Sequence, residues 1–317
     1  MKLDIILMSY NQEQYIAQAV ESILMQRVND DVHVRVIVSD DCSKDKTLEI
    51  IKSYEDKSSF PFVYLSAEKN LGISENYRRA IAAIEAEYVA ILEGDDYWTD
   101  VKRLQKHIDY LSTHTTCVMT KNFYSIFRHD THETLIETTP KRYVYLRDII
   151  NHRDLSNLSA FVIRVEVLRM MPDKVYKYGE LQAREAFDWY MQLYILQFGY
   201  GYVFDDVMSA YRLNTGENVS RSKLTLQQQI DIAYLCSQQS LDLIGPSFKD
   251  ECKRIYTSEI AMCQLIKRDR LVTSASEYIS PWFAKLLFIG FPKIGLLFRQ
   301  FIRAWIPNKL YRMIRKK

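Results

Sequence analysis

Short apolar runs alternate with amphipathic segments through the first 95 residues of the chain. The runs predicted to be buried strands are Leu3–Met8, Val32–Val38, Phe62–Leu65 and Tyr88–Leu92. Helices are predicted between them at residues 12–26, 46–54 and 74–86. In the first of these helices Ile16, Val20 and Ile23 share one face. The alternation predicts βαβ units, and therefore an α/β fold whose parallel sheet is covered by helices on both faces.

The second half of the chain is less regular. Further strands are predicted at Cys117–Phe127, Leu158–Ile163 and Gly201–Tyr211, and helices at Asp100–Thr113, Val165–Met171 and Glu185–Leu196. Residues 128–142 are predicted to be a loop or a hairpin, 213–223 a polar loop, and 224–243 and 248–268 two helices joined at Gly245-Pro246. We therefore divide the chain into an α/β domain at 1–223, a helical extension at 224–280 and a tail at 281–317.

Three polar clusters follow predicted strands: Ser9-Tyr10-Asn11, Asp40-Asp41 and the segment from Glu93 to Asp96. In a parallel sheet the carboxyl ends of the strands meet at one edge, where ligands bind. Carboxylates with an aromatic side chain suggest a metal ion and a base or sugar ring. The sequence contains no Gly-x-Gly-x-x-Gly motif and no Walker loop, which argues against a dinucleotide or P-loop site.

The segment Glu93-Gly94-Asp95-Asp96 places three carboxylates within four positions, directly after the most apolar predicted strand. Carboxylates this close repel one another, and a divalent cation held by oxygen ligands is the usual way to offset the repulsion. Gly94 allows a sharp turn or a close approach of the backbone. The alternative is a solvated acidic turn.

Composition limits the class of protein. Of the 317 residues, 48% are hydrophobic and only 16 are Gly or Pro, as expected for a folded globular chain. The five cysteines are scattered without metal spacing, which favours a reducing compartment over a disulfide framework or a zinc site. Met1 leads directly into a predicted strand, so we expect no signal peptide.

The charge is concentrated at the carboxyl terminus. Nine of the 42 Lys and Arg residues and no acidic residue lie in the tail, so the tail carries +9 and the rest of the chain −7. This profile argues against nucleic acid as a partner. Aromatic and aliphatic residues are interleaved with the charges, and the longest uncharged run, 286–292, is too short to span a bilayer. The tail is typical of a helix at a membrane surface, and the alternative is packing on protein.

Five motifs in this order resemble the family 2 glycosyltransferases of the GT-A fold, in particular those of bacterial O-antigen and capsule synthesis. They are Ser9-Tyr10-Asn11, Ser22-Ile23-Leu24-x-Gln26, Val38 to Thr47, Asn70-Leu71-Gly72 and Glu93 to Trp98. The resemblance covers about residues 3 to 215. It departs from the family pattern at Glu93, where the usual residue is Asp, and at Cys42, where it is Gly.

The resemblance implies a nucleotide site. Tyr10 would stack on the nucleobase and Asp41 would accept its ring N–H, with Asn11 and Asp40 supporting the pocket. The alternatives are a core aromatic for Tyr10 and an acid at a helix N-terminus for Asp41.

The acidic segment would bind the ribose and the metal. Glu93 and Asp95 match nucleotide-binding positions of the family, and Asp95 or Asp96 would hold Mn²⁺ or Mg²⁺. The resemblance does not separate Asp95 from Asp96 as the main metal ligand.

The resemblance also implies a general base and a phosphate contact. Asp188 occupies the position of the base, with Glu185 nearby, and the alternative is a helix cap ahead of Trp189. Arg212 would pair with the diphosphate, together with the loop 217–220, and the alternative is a surface salt bridge. Asn214 stands where such families often have His.

The expected function is an inverting, metal-dependent glycosyltransferase. Its donor would be a nucleotide sugar, with UDP-sugars the first candidates, and its acceptor a lipid-linked saccharide or polysaccharide. We expect a cytoplasmic enzyme, peripheral to the inner face of the plasma membrane. The rivals are a sugar nucleotidylyltransferase, which would need a Gly-rich basic loop after the first strand, and a catalytically silent membrane-surface scaffold with the same fold.

Overall fold

A computed structural model describes residues 1–65, 67–128, 134–137, 142–150, 157–181, 184–185, 187–213, 235–236, 238–248 and 250. The tail at 281–317, the polar loop at 214–223 and most of the predicted helices 224–243 and 248–268 lie outside the described residues. The chain divides into two compact units. One is Met1–Leu146 with Leu155–Val219, and the other is Arg147–Asp154 with Ser220–Lys317. The described helices include none with the length and hydropathy of a membrane span.

The described residues form the following elements. The strands are β1 (Lys2–Ser9), β2 (His33–Asp40), β3 (Phe62–Leu65), β4 (Tyr88–Glu93), β5 (Tyr97–Trp98), β6 (Cys117–Arg128), β7 (Thr134–Glu137), β8 (Tyr143–Val144), β9 (Phe161–Arg164), β10 (Glu180–Leu181), β11 (Arg184–Glu185) and β12 (Tyr200–Leu213). The helices are α1 (Ile16–Leu24), α2 (Thr47–Lys52), α3 (Ile73–Ala82), α4 (Arg103–Thr113), α5 (Leu146–Ile150), α6 (Val165–Arg169), α7 (Asp173–Gly179) and α8 (Phe187–Ile195).

The first four predicted strands form the parallel half of the sheet, in the order β3-β2-β1-β4. β1 lies between β2 and β4, and Leu3 pairs with Val34 on one side and Tyr88 on the other. β1 and β4 are buried over nearly their whole length because both of their faces are covered. The predicted α/β architecture is confirmed.

The other half of the sheet is mixed. β9 runs antiparallel to both β4 and β6, while β12 runs parallel to β6 and antiparallel to β5. β7 folds back on β6, so part of the 128–142 segment is the predicted hairpin. The hydrophobic pattern of a buried strand is the same in either direction, so it did not indicate this reversal.

Alternate residues of β1 serve the two faces of the sheet. Leu3, Ile5 and Leu7 belong to the apolar core that contains Ile16 and Val20 of α1. On the opposite face α3 packs against β1 and β2 and buries Tyr77, Ala80 and Ile81. The parallel half of the sheet is therefore covered on both faces.

Two predicted boundaries differ near the carboxyl edge. Residues Leu158–Ala160 form a 3₁₀ turn before β9, because Asn157 is left-handed and its side chain accepts the Ser159 N–H. The predicted helix Glu185–Leu196 begins at Phe187 instead, since Glu185 belongs to the short β10–β11 pair. Both changes affect residues of the candidate site.

Candidate functional site

The polar clusters meet at one edge of the sheet. The register pairs Met8 of β1 with Glu93 of β4, and Ser9 of β1 with Asp40 of β2. Neighbouring strands lie about 4.8 Å apart. The structure thus brings the loop after β1, the Asp40-Asp41 pair and the acidic segment to the same side of the molecule.

The loops after β1 and β2 are joined by hydrogen bonds. The carboxylate of Asp40, which is buried, accepts bonds from the Ser9 hydroxyl (2.9 Å), the Ser43 N–H (2.9 Å) and the Ser43 hydroxyl (2.5 Å). The Asn11 N–H donates to Ser43 Oγ at 2.9 Å, and Asn11 Oδ1 accepts the Lys44 N–H at 2.8 Å. Asp40 and Asn11 therefore support the loop pair, and Tyr10, which lies between Ser9 and Asn11 in the chain, is half-buried.

The hydrogen bonds between these two loops continue beyond the ends of the strands. The N–H of Gln12 donates to Thr47 Oγ1 at 2.7 Å and that of Glu13 to Asp45 Oδ2 at 3.0 Å. In return the Lys46 N–H donates to Glu13 Oε2 at 3.0 Å. Residues 9–13 and 40–47, which we call the paired loops, are therefore fixed to each other by both backbone and side chains.

Asp41 ties the end of β2 to the start of α3. Its carboxylate is 3% exposed and accepts the Leu71 N–H at 2.8 Å and the Gly72 N–H at 2.9 Å, one on each oxygen. A carboxylate accepts about four hydrogen bonds, so capacity for a ligand N–H remains. Cys42 has φ of +63°, and so keeps the left-handed turn for which a glycine is favoured.

Gly94 has no room for a side chain. A Cβ built there would lie 2.7 Å from Ile16 Cδ1 and 3.0 Å from the Met8 carbonyl oxygen, and closer still to the Gln12 amide. The Gly94 N–H donates to the same Met8 carbonyl at 2.8 Å. The acidic segment therefore turns directly against the ends of β1 and α1.

The three acids of this segment have different environments. Tyr77 donates its hydroxyl to Glu93 at 3.1 Å, while Asp95 is half-exposed. Asp96 is fully buried and accepts the Ser159 hydroxyl at 2.6 Å and the Arg212 N–H at 3.0 Å. Burial, and then the charges of Asp95 and Glu93, raise the pKa of Asp96 well above its usual range.

Ser159 is a site residue that the sequence analysis missed. Its hydroxyl oxygen, besides binding Asp96, accepts the Glu93 N–H at 3.1 Å. Its carbonyl accepts Trp98 Nε1 at 2.8 Å and an Arg103 N–H at 3.2 Å. Asn157, with its preference for left-handed turns, is the one local signal in the sequence that marks this turn.

Arg212 is buried beneath the acidic segment. It is 7% exposed, which excludes the surface salt bridge that was its alternative interpretation. The guanidinium donates to the Asp95 carbonyl and to the Gln18 side chain. It also lies over the rings of Tyr15 and Tyr97, at 5.2 and 4.8 Å from their centroids. These contacts make Arg212 a support of the acidic segment.

Asp188 lies in the first turn of α8, directly after Phe187, whose ring stacks on Tyr77. Its Oδ1 accepts the Trp189 N–H at 2.8 Å, and the residue is half-buried. The pKa of Tyr77 is raised well above its usual value by burial, then by Glu93, and further by Asp188. Tyr77 thus adjoins both Glu93 and Asp188. The Glu185 side chain, Asn214 and residues 217–220 lie outside the described residues.

The environments of Asp95 and Asp96 bear on whether the acidic segment can hold a metal ion. No group of three or more His, Cys, Asp or Glu side chains suited to a metal ion occurs in the described part of the chain. The residues fit a cation that takes its other ligands from a substrate: Mg²⁺ commonly uses one or two carboxylates together with phosphates. Half-exposed Asp95 is open to solvent, and the negative charge that raises the pKa of Asp96 would be offset by a cation.

A family model described as "Glycosyl transferase family 2" matches residues 4–174, which is more than half of the chain. The chain belongs to glycosyl transferase family 2. The match spans β1 through α6 and includes the paired loops and the acidic segment. This confirms the resemblance drawn from the five motifs.

Relatives within the family share shorter segments. An uncharacterized protein of Mycobacterium tuberculosis is 38% identical over 112 residues, which are 35% of this chain and 32% of that protein. The putative teichuronic acid biosynthesis glycosyltransferase TuaG of Bacillus subtilis is 33% identical over 129 residues, 40% of this chain and 48% of TuaG. The matched part therefore spans about a third to a half of these relatives.

Solved structures share the fold. Staphylococcus aureus TarS 1–349 in complex with UDP-GlcNAc has a TM-score of 0.61 at 19% identity, covering 90% of this chain and 80% of that one. The mannosyltransferase PcManGT of Pyrobaculum calidifontis in complex with GDP-Man and Mn²⁺ has a TM-score of 0.56 at 13% identity, covering 95% and 85%. These likenesses confirm the GT-A fold.

Proposed function

We propose that this protein is an inverting, metal-dependent glycosyltransferase that moves a sugar from a UDP-sugar to a hydroxyl group of a lipid-linked saccharide or polysaccharide. The proposal is carried by one observation. The paired loops with Asp41 and the acidic segment lie together at the carboxyl edge of the sheet, and Asp188 directly follows Phe187, which stacks on the Tyr77 ring whose hydroxyl binds Glu93. Family 2 membership and the fold of nucleotide-sugar-bound relatives support it.

The paired loops suit the nucleoside. Tyr10 is half-buried on a loop that is already fixed, so its ring is available to a base without loss of much conformational entropy. Asp41 is held by two backbone N–H groups and keeps acceptor capacity for a base N–H. The site is thereby preorganised for the donor.

The acidic segment suits the ribose and the diphosphate. Glu93 and Asp95 would contact the nucleotide, and Asp95 would hold Mn²⁺ or Mg²⁺, with Asp96 as its buried support. When bound, the cation supplies charge compensation for the nucleoside diphosphate as it leaves. Arg212 holds the Asp95 backbone in place, since its guanidinium donates to the Asp95 carbonyl.

Asp188 suits the role of general base. In an inverting transfer the acceptor oxygen forms a bond to the anomeric carbon while the bond from that carbon to the nucleoside diphosphate breaks. The acceptor proton passes to one carboxylate on the side opposite the leaving group. Asp188 is half-buried and lies in the first turn of a helix, where the helix dipole stabilises a carboxylate.

The acceptor is proposed from relatives. TuaG is named for teichuronic acid biosynthesis, and TarS, 32% identical over 97 residues, is named a poly(ribitol-phosphate) beta-N-acetylglucosaminyltransferase. Both names refer to bacterial surface polymers. By analogy we place this protein in the synthesis of a surface glycan such as an O-antigen or a capsule.

Calorimetric titration with UDP, with and without Mn²⁺, tests the proposal. We expect Mn²⁺-dependent binding, which Asp95→Ala abolishes because it removes the proposed metal ligand. Asp188→Asn should keep this binding and lose sugar transfer. A catalytically silent scaffold predicts that the unaltered protein binds neither UDP nor, in the same titration, GDP, and that result would refute the transferase.

We also propose that residues 281–317 bind the inner face of the plasma membrane, which would place the enzyme beside a lipid-linked acceptor. Each basic residue near an anionic surface contributes about 1 kcal/mol. Changing the nine Lys and Arg residues of the tail to Gln in the full chain should release the protein from phosphatidylglycerol vesicles. Unchanged sedimentation with the vesicles would remove this part of the proposal.

A further inference from the structure

Tyr77 has an environment that none of its neighbours in α3 shares. It is 1% exposed, and its hydroxyl reaches the end of β4, where it donates to Glu93 Oε1 at 3.1 Å. An ionised carboxylate only accepts hydrogen bonds, so the tyrosine must be the donor in this pair. The buried hydroxyl of Tyr77 therefore has the Glu93 carboxylate as its acceptor.

The ring of Tyr77 is fixed from the other side. It stacks on Phe187, the first residue of α8, with centroids 4.7 Å apart and an interplanar angle of 18°. Tyr176 of α7 stacks on the same Phe187 ring at 5.5 Å and 16°. All three rings are buried. The stack leaves the Tyr77 ring little freedom, so its hydroxyl is held at one place beside Glu93.

The acceptor in this pair, Glu93, is the only glutamate of the acidic segment. It is half-exposed, and it carries a longer and more flexible side chain than an aspartate. A donor on a rigid ring is therefore well suited to hold the Glu93 carboxylate in one direction.

We propose that Tyr77 is a positioning residue, whose hydroxyl orients the Glu93 carboxylate for the nucleotide and whose ring is held for this purpose by Phe187. The inference rests on the proposed function, because it assigns Glu93 to the nucleotide. It identifies the α3–α8 aromatic stack as the part of the fold that aligns the longer acid at position 93.

The test uses Tyr77→Phe, which keeps the ring and removes the hydroxyl. Tyr176→Phe is the matched control, since it removes a hydroxyl from the other ring that stacks on Phe187. Dissociation constants are measured on the full chain by calorimetry with UDP and Mn²⁺, and then with GDP and Mn²⁺. A hydrogen bond to a charged group contributes enough for Tyr77→Phe to weaken UDP binding about tenfold, and Tyr176→Phe should leave it unchanged.

A double-mutant cycle with Glu93→Gln separates positioning from general damage to the fold. If Tyr77 acts through Glu93, Tyr77→Phe weakens binding about tenfold in the original protein and by less than about twofold in the Glu93→Gln background. Equal losses in both backgrounds, or equal effects of Tyr77→Phe and Tyr176→Phe, would overturn the inference alone. If the unaltered protein binds neither UDP nor GDP, the proposed function fails, and the inference fails with it.

Discussion

Replacing Ser159 with alanine tests whether one hydroxyl organises the acidic segment. Ser159 and Asp96 are both fully buried, and the hydroxyl donates to Asp96 Oδ2 at 2.6 Å while accepting the Glu93 N–H at 3.1 Å. The substitution therefore removes a donor from a buried carboxylate and an acceptor from a backbone N–H in a single step. No water can replace the hydroxyl without space being made for it.

The two losses set the expected magnitude. A hydrogen bond contributes about 0.5–1.5 kcal/mol, and a buried N–H left without a partner costs about 1–3 kcal/mol. Partial relaxation reduces the sum, so we expect the free energy of unfolding to fall by about 2 kcal/mol. The pKa of Asp96, which is already raised, should rise further because the hydroxyl of Ser159 favours its charged form.

Urea unfolding measures the change, with Ser22→Ala as the matched control. Ser22 is also buried, but its hydroxyl donates to the Ala19 carbonyl within α1, at 2.7 Å. That carbonyl belongs to a helix, so the control should cost less than about 1 kcal/mol. If Ser159→Ala costs no more than Ser22→Ala, the hydroxyl does not organise the acidic segment. Its effect should also shrink in an Asp96→Asn background, because the carboxyl group that binds the hydroxyl is then absent.

Three further predictions follow from the described geometry. Gly94→Ala should reduce the yield of folded protein and lower Tm by several degrees, because the new methyl group would lie 3.0 Å from the Met8 carbonyl; an unaltered Tm would contradict this. Asp41→Asn places an amide NH₂ opposite one of the two backbone N–H donors, Leu71 and Gly72, so one hydrogen bond is lost. We expect the free energy of unfolding, measured in urea, to fall by about 2 kcal/mol, and an unchanged midpoint would show that these bonds are dispensable. Burial, and then the Arg103 charge, lower the pKa of His107 well below 6.5, so the unfolded state gains a proton below pH 6.5 that the folded state lacks. Stability should therefore fall by up to about 1.4 kcal/mol per pH unit below pH 6.5, and His107→Asn should remove this slope, while exposed His114→Asn should keep it.

The sequence was most informative where local pattern decides the structure. The strands from β1 to β4 follow from apolar runs separated by helices, and their common edge follows from the rules for parallel sheets. The positions of Asp40 and Glu93 at strand ends could therefore be predicted. The direction of β9 could not be predicted, because it depends on the path that the chain takes between neighbouring strands and not on the pattern of β9 itself.

The supports of the site were missed for a different reason. Ser159 and Asp96 are 63 positions apart, and Arg212 and Asp96 are 116 apart. A serine or an arginine with a distant partner has no local signature in one sequence. Arg212 was predicted as a phosphate contact from the resemblance, and its burial under the Asp95 backbone became visible only in three dimensions.

The paired loops have a consequence for exchanging specificity between relatives. Backbone groups of residues 11–13 bind side chains of Ser43, Asp45 and Thr47, and Asn11 and Glu13 bind the backbone of Lys44 and Lys46 in return. If only one of the two loops were transplanted, each of these hydrogen bonds would keep one of its two partners and lose the other. Segments 9–13 and 40–47 therefore form a single structural unit, and a chimera should carry both from the same parent.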